Sequence, residues 1–331
     1  MKKIKIVLIG AGFIADYHAR ALQLLPEVEI AGVVGLPIEA VKGFANKYNI
    51  HNVSTDYKDF LKNKEIDAVI ISTPNKFHAP IAIDFLKEGI DVFLEKPMAV
   101  NPKEGEKITR VAKENNRIVM IGHMWRFDEE VNFIKNLIDS GKLGKIIKTK
   151  GYGIHENWGP GGWFTKKEIA GGGALADMGV HAIDTVRYIL GDPDPTEVYA
   201  KIGTYFGNYD VDDSGIIIIS WDNGTTSIIE SGWWQPHMDG PEASTQFFGT
   251  KGYATVLPTA VKLKSEEKIE IPTINKSEHC DQSIYSKQME KFVESIKSRI
   301  QPNPGYIEGQ KVLEIVDAAY QSSELGKVVK F

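Results

Sequence analysis

Asp177 and His181, an aspartate and a histidine four positions apart, form a pair of side chains that could transfer a proton. Asp177 and His181 lie in Leu175–Leu190, whose pattern predicts a helix, so both side chains should share one face. A carboxylate beside an imidazole stabilises the imidazolium and orients the ring, which suits a general base acting on an alcohol. Asp184 has suitable spacing for the same role, and a surface ion pair or a satisfied core histidine would give the same pattern.

A lysine at the end of a predicted strand is the second candidate for chemistry. Lys96 follows the apolar run Asp91–Leu94 and precedes Pro97, which favours extended backbone at the lysine. Open α/β sheets bind ligands at the carboxyl ends of their strands. An ammonium group there would donate to a reacting oxygen and favour its deprotonation, and we expect the adjacent Glu95 to belong to the same site. A solvated loop lysine is the alternative.

A glycine-rich turn near the start of the chain predicts binding of a dinucleotide. Gly10 permits a tight turn, Gly12 allows the backbone to approach a pyrophosphate, and Ala15 permits close packing of helix on strand. The phosphates would lie on the first N–H groups of the next helix. We therefore expect Gly10, Gly12, Phe13 and Ile14 to bind the cofactor, although a simple tight turn has the same pattern.

The residue that selects between NAD and NADP is missing from its usual place. A carboxylate that binds the ribose hydroxyls is expected at the end of the second strand, where the sequence reads Val34-Gly35-Leu36. Glu29 lies at the wrong end of that strand and Glu39 lies beyond it. Lys42 is the nearest candidate for a 2′-phosphate, so the sequence leaves NAD and NADP open.

The elements that must position these residues form two series. Up to Met124, short apolar runs alternate with amphipathic stretches, which predicts an α/β Rossmann domain with a parallel doubly wound sheet over residues 1–124. One of its helices should begin at Pro102 with Asn101 as N-cap. From 125 to 331 several strands follow one another, one pair joined by a turn at Asp222-Asn223-Gly224. This order predicts an α+β domain with a mostly antiparallel open sheet, with two helices near Gln282–Lys297 and Glu308–Leu325 closing the chain.

Composition limits the classes of partner. The chain has 331 residues and a formal net charge of −5, so we expect neither nucleic acid nor an anionic membrane as a partner. Its one cysteine, Cys280, excludes an intrachain disulfide, and the histidines match no zinc spacing, so we expect no metal site. Lys5 interrupts the apolar run near the N-terminus, which argues against a signal peptide and favours a cytoplasmic protein.

Four further motifs carry a family resemblance. They are Ser72-Thr73-Pro74-Asn75-Lys76-Phe77-His78, Glu95-Lys96-Pro97, the stretch Gly171-Gly172-Gly173-Ala174-Leu175-Ala176-Asp177-Met178-Gly179-Val180-His181-Ala182-Ile183-Asp184, and the closing Ile315-Val316-Asp317-Ala318-Ala319-Tyr320-Gln321-Ser322. In this order, and spread over nearly the whole chain, they resemble the glucose–fructose oxidoreductase / inositol dehydrogenase (Gfo/Idh/MocA) family. The resemblance implies a dehydrogenase or reductase that transfers hydride between NAD or NADP and a hydroxyl of a sugar, cyclitol or related polyol.

The resemblance also implies roles for single residues. Thr73, Asn75 and His78 would line the cofactor cleft with Glu95 and Lys96, and Lys96 would reach the substrate beside the nicotinamide. Asp177 and His181 would face the substrate from the second domain, with His181 as the base and Lys96 holding the developing alkoxide. Trp163 would shield the nicotinamide, although Phe164 follows it where many members of the family have arginine.

Some contacts and two rival functions stay open. His155 is a candidate for substrate binding, whereas His237 and the pair Trp233-Trp234 suit either a sugar ring or packing within the sheet. One rival function is a glycoside hydrolase that uses NAD for a transient oxidation, and the other is a non-catalytic regulator that binds the cofactor. We expect the open sheet face to pair copies of the chain into a homodimer or homotetramer.

Overall fold

The computed structural model describes residues 3–238, 244–272 and 281–331. Cys280, discussed above, lies outside the described residues. The chain divides into two compact units, which comprise residues 1–124 with 277–310 and residues 125–276 with 311–331.

One helix belongs to a different unit from the one expected. The sequence predicts that all of residues 125–331 form the second domain, whereas the helix Gln282–Ser298 lies in the first unit. The side-chain amide of Gln282 donates to the carbonyl of Tyr17 over 3.0 Å, and the rings of Tyr17 and Tyr285 lie 4.5 Å apart. These contacts join residues far apart in sequence, so local periodicity does not predict them.

The first unit is built on a six-stranded parallel sheet in the order β3-β2-β1-β4-β5-β6. Its strands are β1 (Ile4–Ile9), β2 (Val28–Val34), β3 (Val53–Ser54), β4 (Ala68–Ile71), β5 (Asp91–Leu94) and β6 (Val119–Ile121). The strand order reverses between β1 and β4, and ligands bind outside the carboxyl ends of the strands at such a point. The Rossmann prediction is confirmed; β3 was not predicted, because two residues carry no periodic pattern.

Helices connect these strands and cover the sheet. They are α1 (Phe13–Gln23), α2 (Ile38–Tyr48), α3 (Lys58–Leu61), α4 (His78–Lys87), α5 (Pro102–Glu114) and α9 (Gln282–Ser298). The predicted start of α5 is confirmed, since Oδ1 of Asn101 accepts the N–H of Glu104 over 3.0 Å and Pro102 occupies the first turn.

The second unit is built on an eight-stranded sheet in the order β13-β12-β11-β7-β10-β9-β8-β14. Its strands are β7 (Ile146–Glu156), β8 (Pro195–Gly203), β9 (Ser214–Trp221), β10 (Thr226–Gln235), β11 (Thr245–Gly249), β12 (Gly252–Val256), β13 (Ala260–Leu263) and β14 (Val329–Lys330). All neighbouring pairs are antiparallel except β7 and β10, which are parallel, so the mostly antiparallel prediction is confirmed. The predicted turn joins β9 to β10, with Gly224 at φ +83°.

Helices of the second unit cover one face of this sheet. They are α6 (Glu129–Asp139), α8 (Val180–Ile189) and α10 (Tyr306–Leu325), which begins before the unit boundary. The short helix α7 (Lys167–Ala170) precedes the glycine-rich segment. Ile183 on α8 and Ile315 on α10 are fully buried with Ile217 and Ile229 of the sheet. In the described part of the chain, no helix is both long and apolar enough to cross a membrane.

Candidate functional site

The glycine turn after β1 has the geometry that a phosphate-binding loop requires. Gly10 has φ +121°, and a Cβ there would lie 2.6 Å from the carbonyl oxygen of Ser72, so only glycine fits. A Cβ on Gly12 would meet nothing within 4 Å, so the turn is open on that side. Helix α1 then begins at Phe13, and no described side chain caps its first N–H groups. Those groups therefore remain available to an anion.

Apolar side chains and hydroxyls around this turn also fit a dinucleotide. Phe13 is 72% exposed and Leu36, two residues after β2, is 79% exposed, which is a large apolar surface to leave in water. The hydroxyl oxygens of Ser72 and Thr73 are buried without a hydrogen-bond partner among the described residues. Buried polar groups are normally hydrogen-bonded, so these two hydroxyls suit a polar ligand. Ile14, which follows Phe13 in the sequence, is half-buried.

His78 joins the two loops that follow β4 and β5. The ring is 1% exposed, with Nδ1 2.8 Å from the carbonyl oxygen of Pro97 and Nε2 2.8 Å from that of Thr73. Burial lowers the pKa of His78, although the two carbonyls oppose the shift. The resemblance placed His78 in the cofactor cleft; the structure places it inside the protein, where it ties both loops together. Asn75, in the same loop, is also buried.

Glu95 and Lys96 lie directly after β5, at the carboxyl edge of the parallel sheet. Both residues are half-buried. The backbone N–H of Lys96 donates to Oε2 of Glu95 over 3.2 Å. The other oxygen of Glu95, Oε1, lies 2.7 Å from Nε2 of His18 on α1. Sequence reasoning missed His18, whose only signal is a histidine in an otherwise apolar helix face.

Asp177 and His181 lie at the junction of two kinds of helix. Residues Leu175–Gly179 form one π-helical turn, and α8 begins directly after it. The N–H of Asp177 donates to the carbonyl of Gly173 over 2.9 Å, and His181 is 6% exposed. The continuous helix expected from the sequence therefore begins with a wider turn. Such turns occur frequently at functional sites.

A tryptophan on β10 holds the carboxylate of Asp177. Nε1 of Trp233 donates to Oδ2 of Asp177 over 3.2 Å, and the indole is completely buried. The pairing of β10 with β7 is irregular between Gly232 and Gln235. Within this stretch Trp234, which follows Trp233, has φ +59° and is 44% exposed. A bulge redirects side chains, so the two tryptophans have different environments.

The glycine-rich segment before Asp177 is anchored by a second aspartate. The carboxylate of Asp212 accepts the N–H groups of Gly173 and Leu175 over 2.7 and 2.8 Å, and the hydroxyl of Tyr320 over 2.7 Å. A Cβ on Gly173 would lie 1.8 Å from the carbonyl oxygen of Asp212, so this close approach requires glycine. Burial raises the pKa of Asp212, against the hydrogen bonds it accepts. No local pattern pointed to this residue.

Asp184, the alternative partner of His181, is engaged elsewhere. Its Oδ1 lies 2.7 Å from Nη2 of Arg126 and its Oδ2 lies 2.9 Å from Nε, with both side chains buried. Arg126 also donates to Asp192 over 2.8 Å. Because one guanidinium binds both oxygens of Asp184, Asp177 is the better candidate for the carboxylate that orients His181.

His155 and Trp163 both lie in aromatic stacks of the second unit. The ring of His155, 8% exposed, stacks on Trp158 with centroids 3.6 Å apart, and Trp158 is 50% exposed. Trp163 stacks on Phe164 at 3.8 Å.

Over residues 3–238, 244–272 and 281–331, no group of three histidine, cysteine, aspartate or glutamate side chains is arranged to hold a metal ion.

Comparison with known proteins agrees with this geometry. Residues 4–123 match the profile described as the oxidoreductase family with an NAD-binding Rossmann fold, and residues 131–255 match that of the GFO/IDH/MocA C-terminal domain. The chain is 28% identical to D-glucoside 3-dehydrogenase of Escherichia coli (strain K12) over 99% of its length and 97% of that protein. It is 27% identical to scyllo-inositol 2-dehydrogenase (NAD(+)) of Bacillus subtilis (strain 168), over 99% of this chain and 96% of the relative.

Solved structures show the same fold. The structure of levoglucosan dehydrogenase in complex with NADH and L-sorbose superposes with a TM-score of 0.90 at 23% identity, covering 100% of this chain and 99% of the other. GenD2 from gentamicin A biosynthesis, solved in complex with NAD, superposes with a TM-score of 0.87 at 24% identity, over 100% of this chain and 97% of the other. With both domain profiles matched in order, this chain belongs to the Gfo/Idh/MocA family of oxidoreductases.

Proposed function

We propose that this protein is an NAD-dependent dehydrogenase that oxidises a hydroxyl of a sugar, cyclitol or related polyol. The observation that carries the proposal is the open glycine turn at Gly10 and Gly12, at the switch point of a parallel sheet that also presents Lys96. Relatives named for glucoside and inositol oxidation support the substrate class.

The first unit binds the cofactor through its backbone. The turn at Gly10 and Gly12 and the first N–H groups of α1, at Phe13 and Ile14, receive the pyrophosphate. The loop of Thr73 offers a buried hydroxyl to the ligand, while His78 keeps this loop and the loop of Lys96 in place. When bound, NAD accepts hydride from the carbon that carries the reacting hydroxyl.

Three side chains of this chain handle the proton and the developing charge. His181 takes the hydroxyl proton as general base, and Asp177, held by Trp233, orients the imidazole. The ammonium of Lys96 donates to the oxygen as it becomes an alkoxide and then a carbonyl. His155 binds a neighbouring hydroxyl of the substrate, and Trp163 excludes water from the nicotinamide.

Turnover tests the proposal directly. Purified protein is mixed with NAD or NADP and a panel of inositols, aldoses and glycosides, and the near-ultraviolet absorbance of reduced nicotinamide is followed. A rise with NAD and one of these polyols supports the proposal. Release of free sugar without net cofactor reduction would instead identify a redox-assisted hydrolase. Cofactor binding by calorimetry without either product would identify a regulator.

The outer face of the second sheet suggests how copies assemble. Tyr199, Ile216 and Ile218 are 41%, 45% and 38% exposed on neighbouring strands β8 and β9, with Tyr199 directly opposite Ile218. An apolar surface of this kind commonly pairs with a second copy, so we expect a homodimer or homotetramer. Light scattering tests it: Ile218→Glu should lower the measured mass, whereas a monomeric wild type would refute the assembly.

A further inference from the structure

A histidine outside the expected catalytic set is buried against the loop that carries Lys96. His18 lies in α1, the helix that begins at the glycine turn, and its side chain is completely inaccessible to solvent. Its ring packs edge-on against Phe93 at 4.9 Å and against Tyr285 at 5.8 Å. The ring is therefore clamped between the parallel sheet and α9, with little freedom to rotate.

One nitrogen of this ring is aimed at a carboxylate. Nε2 lies 2.7 Å from Oε1 of Glu95, whereas Nδ1 is buried without a hydrogen-bond partner among the described residues. A proton on Nδ1 would leave a buried donor unsatisfied, so the tautomer that fits carries its proton on Nε2 and donates it to Glu95. His18 therefore donates this hydrogen bond and the carboxylate of Glu95 accepts it.

The carboxylate of Glu95 connects His18 to the backbone of Lys96. Its Oε2 accepts the backbone N–H of Lys96, and its carboxylate lies so close to Gly122 that a Cβ there would come within 2.7 Å of Oε2. The side chain is 12% exposed, so water competes little for these bonds. The carboxylate is held by the histidine on one oxygen and by the lysine backbone on the other, and the absence of a side chain at Gly122 leaves room for it.

We propose that His18 is a positioning residue for Lys96, acting through Glu95. The inference rests on the proposed function, in which Lys96 contacts the reacting oxygen. His18 itself touches neither substrate nor cofactor. By fixing Glu95 it fixes the backbone from which the lysine projects, and because it lies on α1 it joins that loop to the helix that begins at the cofactor turn. Small misplacements of a catalytic group are costly, up to about a hundredfold in rate for a shift of about 1 Å.

The alternative is that His18 only fills space in the core. Substitutions that keep or remove its hydrogen-bond donor distinguish this role from the positioning role. The amide nitrogen of glutamine lies as many bonds from the backbone as Nε2 of histidine, so His18→Gln keeps a donor towards Glu95. His18→Leu fills the space without a donor. Leu22→Val, at a buried position of the same helix, disturbs packing without touching Glu95.

The experiment measures kcat, KM and the affinity for NAD in these three variants. His18→Leu should lower kcat about thirtyfold, with the NAD dissociation constant within about threefold of wild type. His18→Gln should recover most of that loss, and Leu22→Val should lower the melting temperature without changing kcat. Equal kcat in the leucine and glutamine variants, or losses that follow melting temperature across all three, would overturn the proposal.

A second readout does not depend on turnover. Acetic anhydride labels lysines at a rate set by their exposure and local environment, and mass spectrometry resolves Lys96 from the exposed Lys103. His18→Leu should increase labelling of Lys96 relative to Lys103, while His18→Gln should not. If wild type oxidises no polyol, the proposed function fails, and the labelling ratio still decides the role of His18. An unchanged ratio in the leucine variant refutes it.

Discussion

Nε1 of the buried Trp233 donates a hydrogen bond to Oδ2 of Asp177 over 3.2 Å. The donor lies on β10 and the acceptor in the π-helical turn Leu175–Gly179, so the bond joins two elements of the second unit. An indole N–H can only donate, so this bond restrains the orientation of the carboxylate that accepts it. The bond thus links the packing of the sheet to the proposed orientation of His181.

Replacing Trp233 by phenylalanine should therefore lower kcat about tenfold, the value of one hydrogen bond to a charged group. The expected cause is loss of the oriented carboxylate, so KM should change less than kcat. Steady-state kinetics measures both. Trp221→Phe is the matched control, because that indole is also buried and donates to Ser227 over 2.7 Å, away from Asp177. Equal losses in both variants would contradict the prediction.

Removing the side-chain ammonium of Lys96 should separate chemistry from cofactor binding. Lys96→Ala should cut turnover by about a hundredfold or more, as expected for loss of a group that stabilises the developing alkoxide. Calorimetric affinity for NAD should change little, since the pyrophosphate is expected on the turn at Gly10 and Gly12. Lys103→Ala is the surface control. Turnover retained in the Lys96 variant would remove this residue from the mechanism.

Leu36 should control the choice between NAD and NADP. It lies two residues after β2, where a carboxylate would bind the ribose hydroxyls and repel a 2′-phosphate. Leu36→Asp should raise the ratio of kcat/KM for NAD to that for NADP by about tenfold. Leu36→Asn supplies the same shape without the charge and should shift the ratio less. A ratio that is the same in wild type and Leu36→Asp would show that the ribose binds elsewhere.

His78 should make stability fall in mildly acidic solution. Burial lowers its pKa in the folded state, so below the ordinary value of about 6.5 the unfolded chain binds a proton that the folded chain does not. Stability should therefore increase as the pH rises from the lowered folded pKa towards that value, by at most about 1.4 kcal/mol per pH unit. Denaturant unfolding between these limits measures the slope.

Variants test whether His78 causes the dependence of unfolding free energy on pH. His78→Gln should flatten it and lower stability overall, because one side-chain amide cannot reproduce both contacts, to Pro97 and Thr73. The exposed His51 is the control, and His51→Gln should leave the slope as in wild type. If His78→Gln keeps the wild-type slope, another group causes it.

The hydroxyl of Tyr320 should matter for both stability and turnover. It donates to the buried Asp212, which holds the N–H groups of Gly173 and Leu175. Tyr320→Phe should cost about 1–3 kcal/mol of unfolding free energy, since a buried carboxylate loses a donor. It should also lower kcat, because the segment before Asp177 loses part of its anchor.

Tyr188→Phe is the matched control for Tyr320. Its hydroxyl donates to Asn132 over 2.7 Å, in another part of the second unit. The control should lose stability without a comparable loss of kcat. Unchanged kcat in Tyr320→Phe at full folding would show that the anchor does not affect the reaction.

The sequence alone determined the local features of this protein. Continuous apolar runs such as Asp91–Leu94 became buried parallel strands, Asn101 capped α5, and the turn at Asp222-Asn223-Gly224 joined an antiparallel pair. The strand–glycine–helix order located the turn at Gly10. Each of these signals lies within a few residues, because side-chain periodicity and turn stereochemistry act over that distance.

The tertiary structure decided the contacts between distant residues. Glu95 meets His18 across 77 positions, Asp177 meets Trp233 across 56, and Asp212 meets Tyr320 across 108. It also showed that Asp184, three positions after His181, is bound by Arg126, which favours Asp177, four positions before it, as the proposed partner of His181. Such pairs depend on how strands order themselves and helices pack, so no local window of sequence contains them.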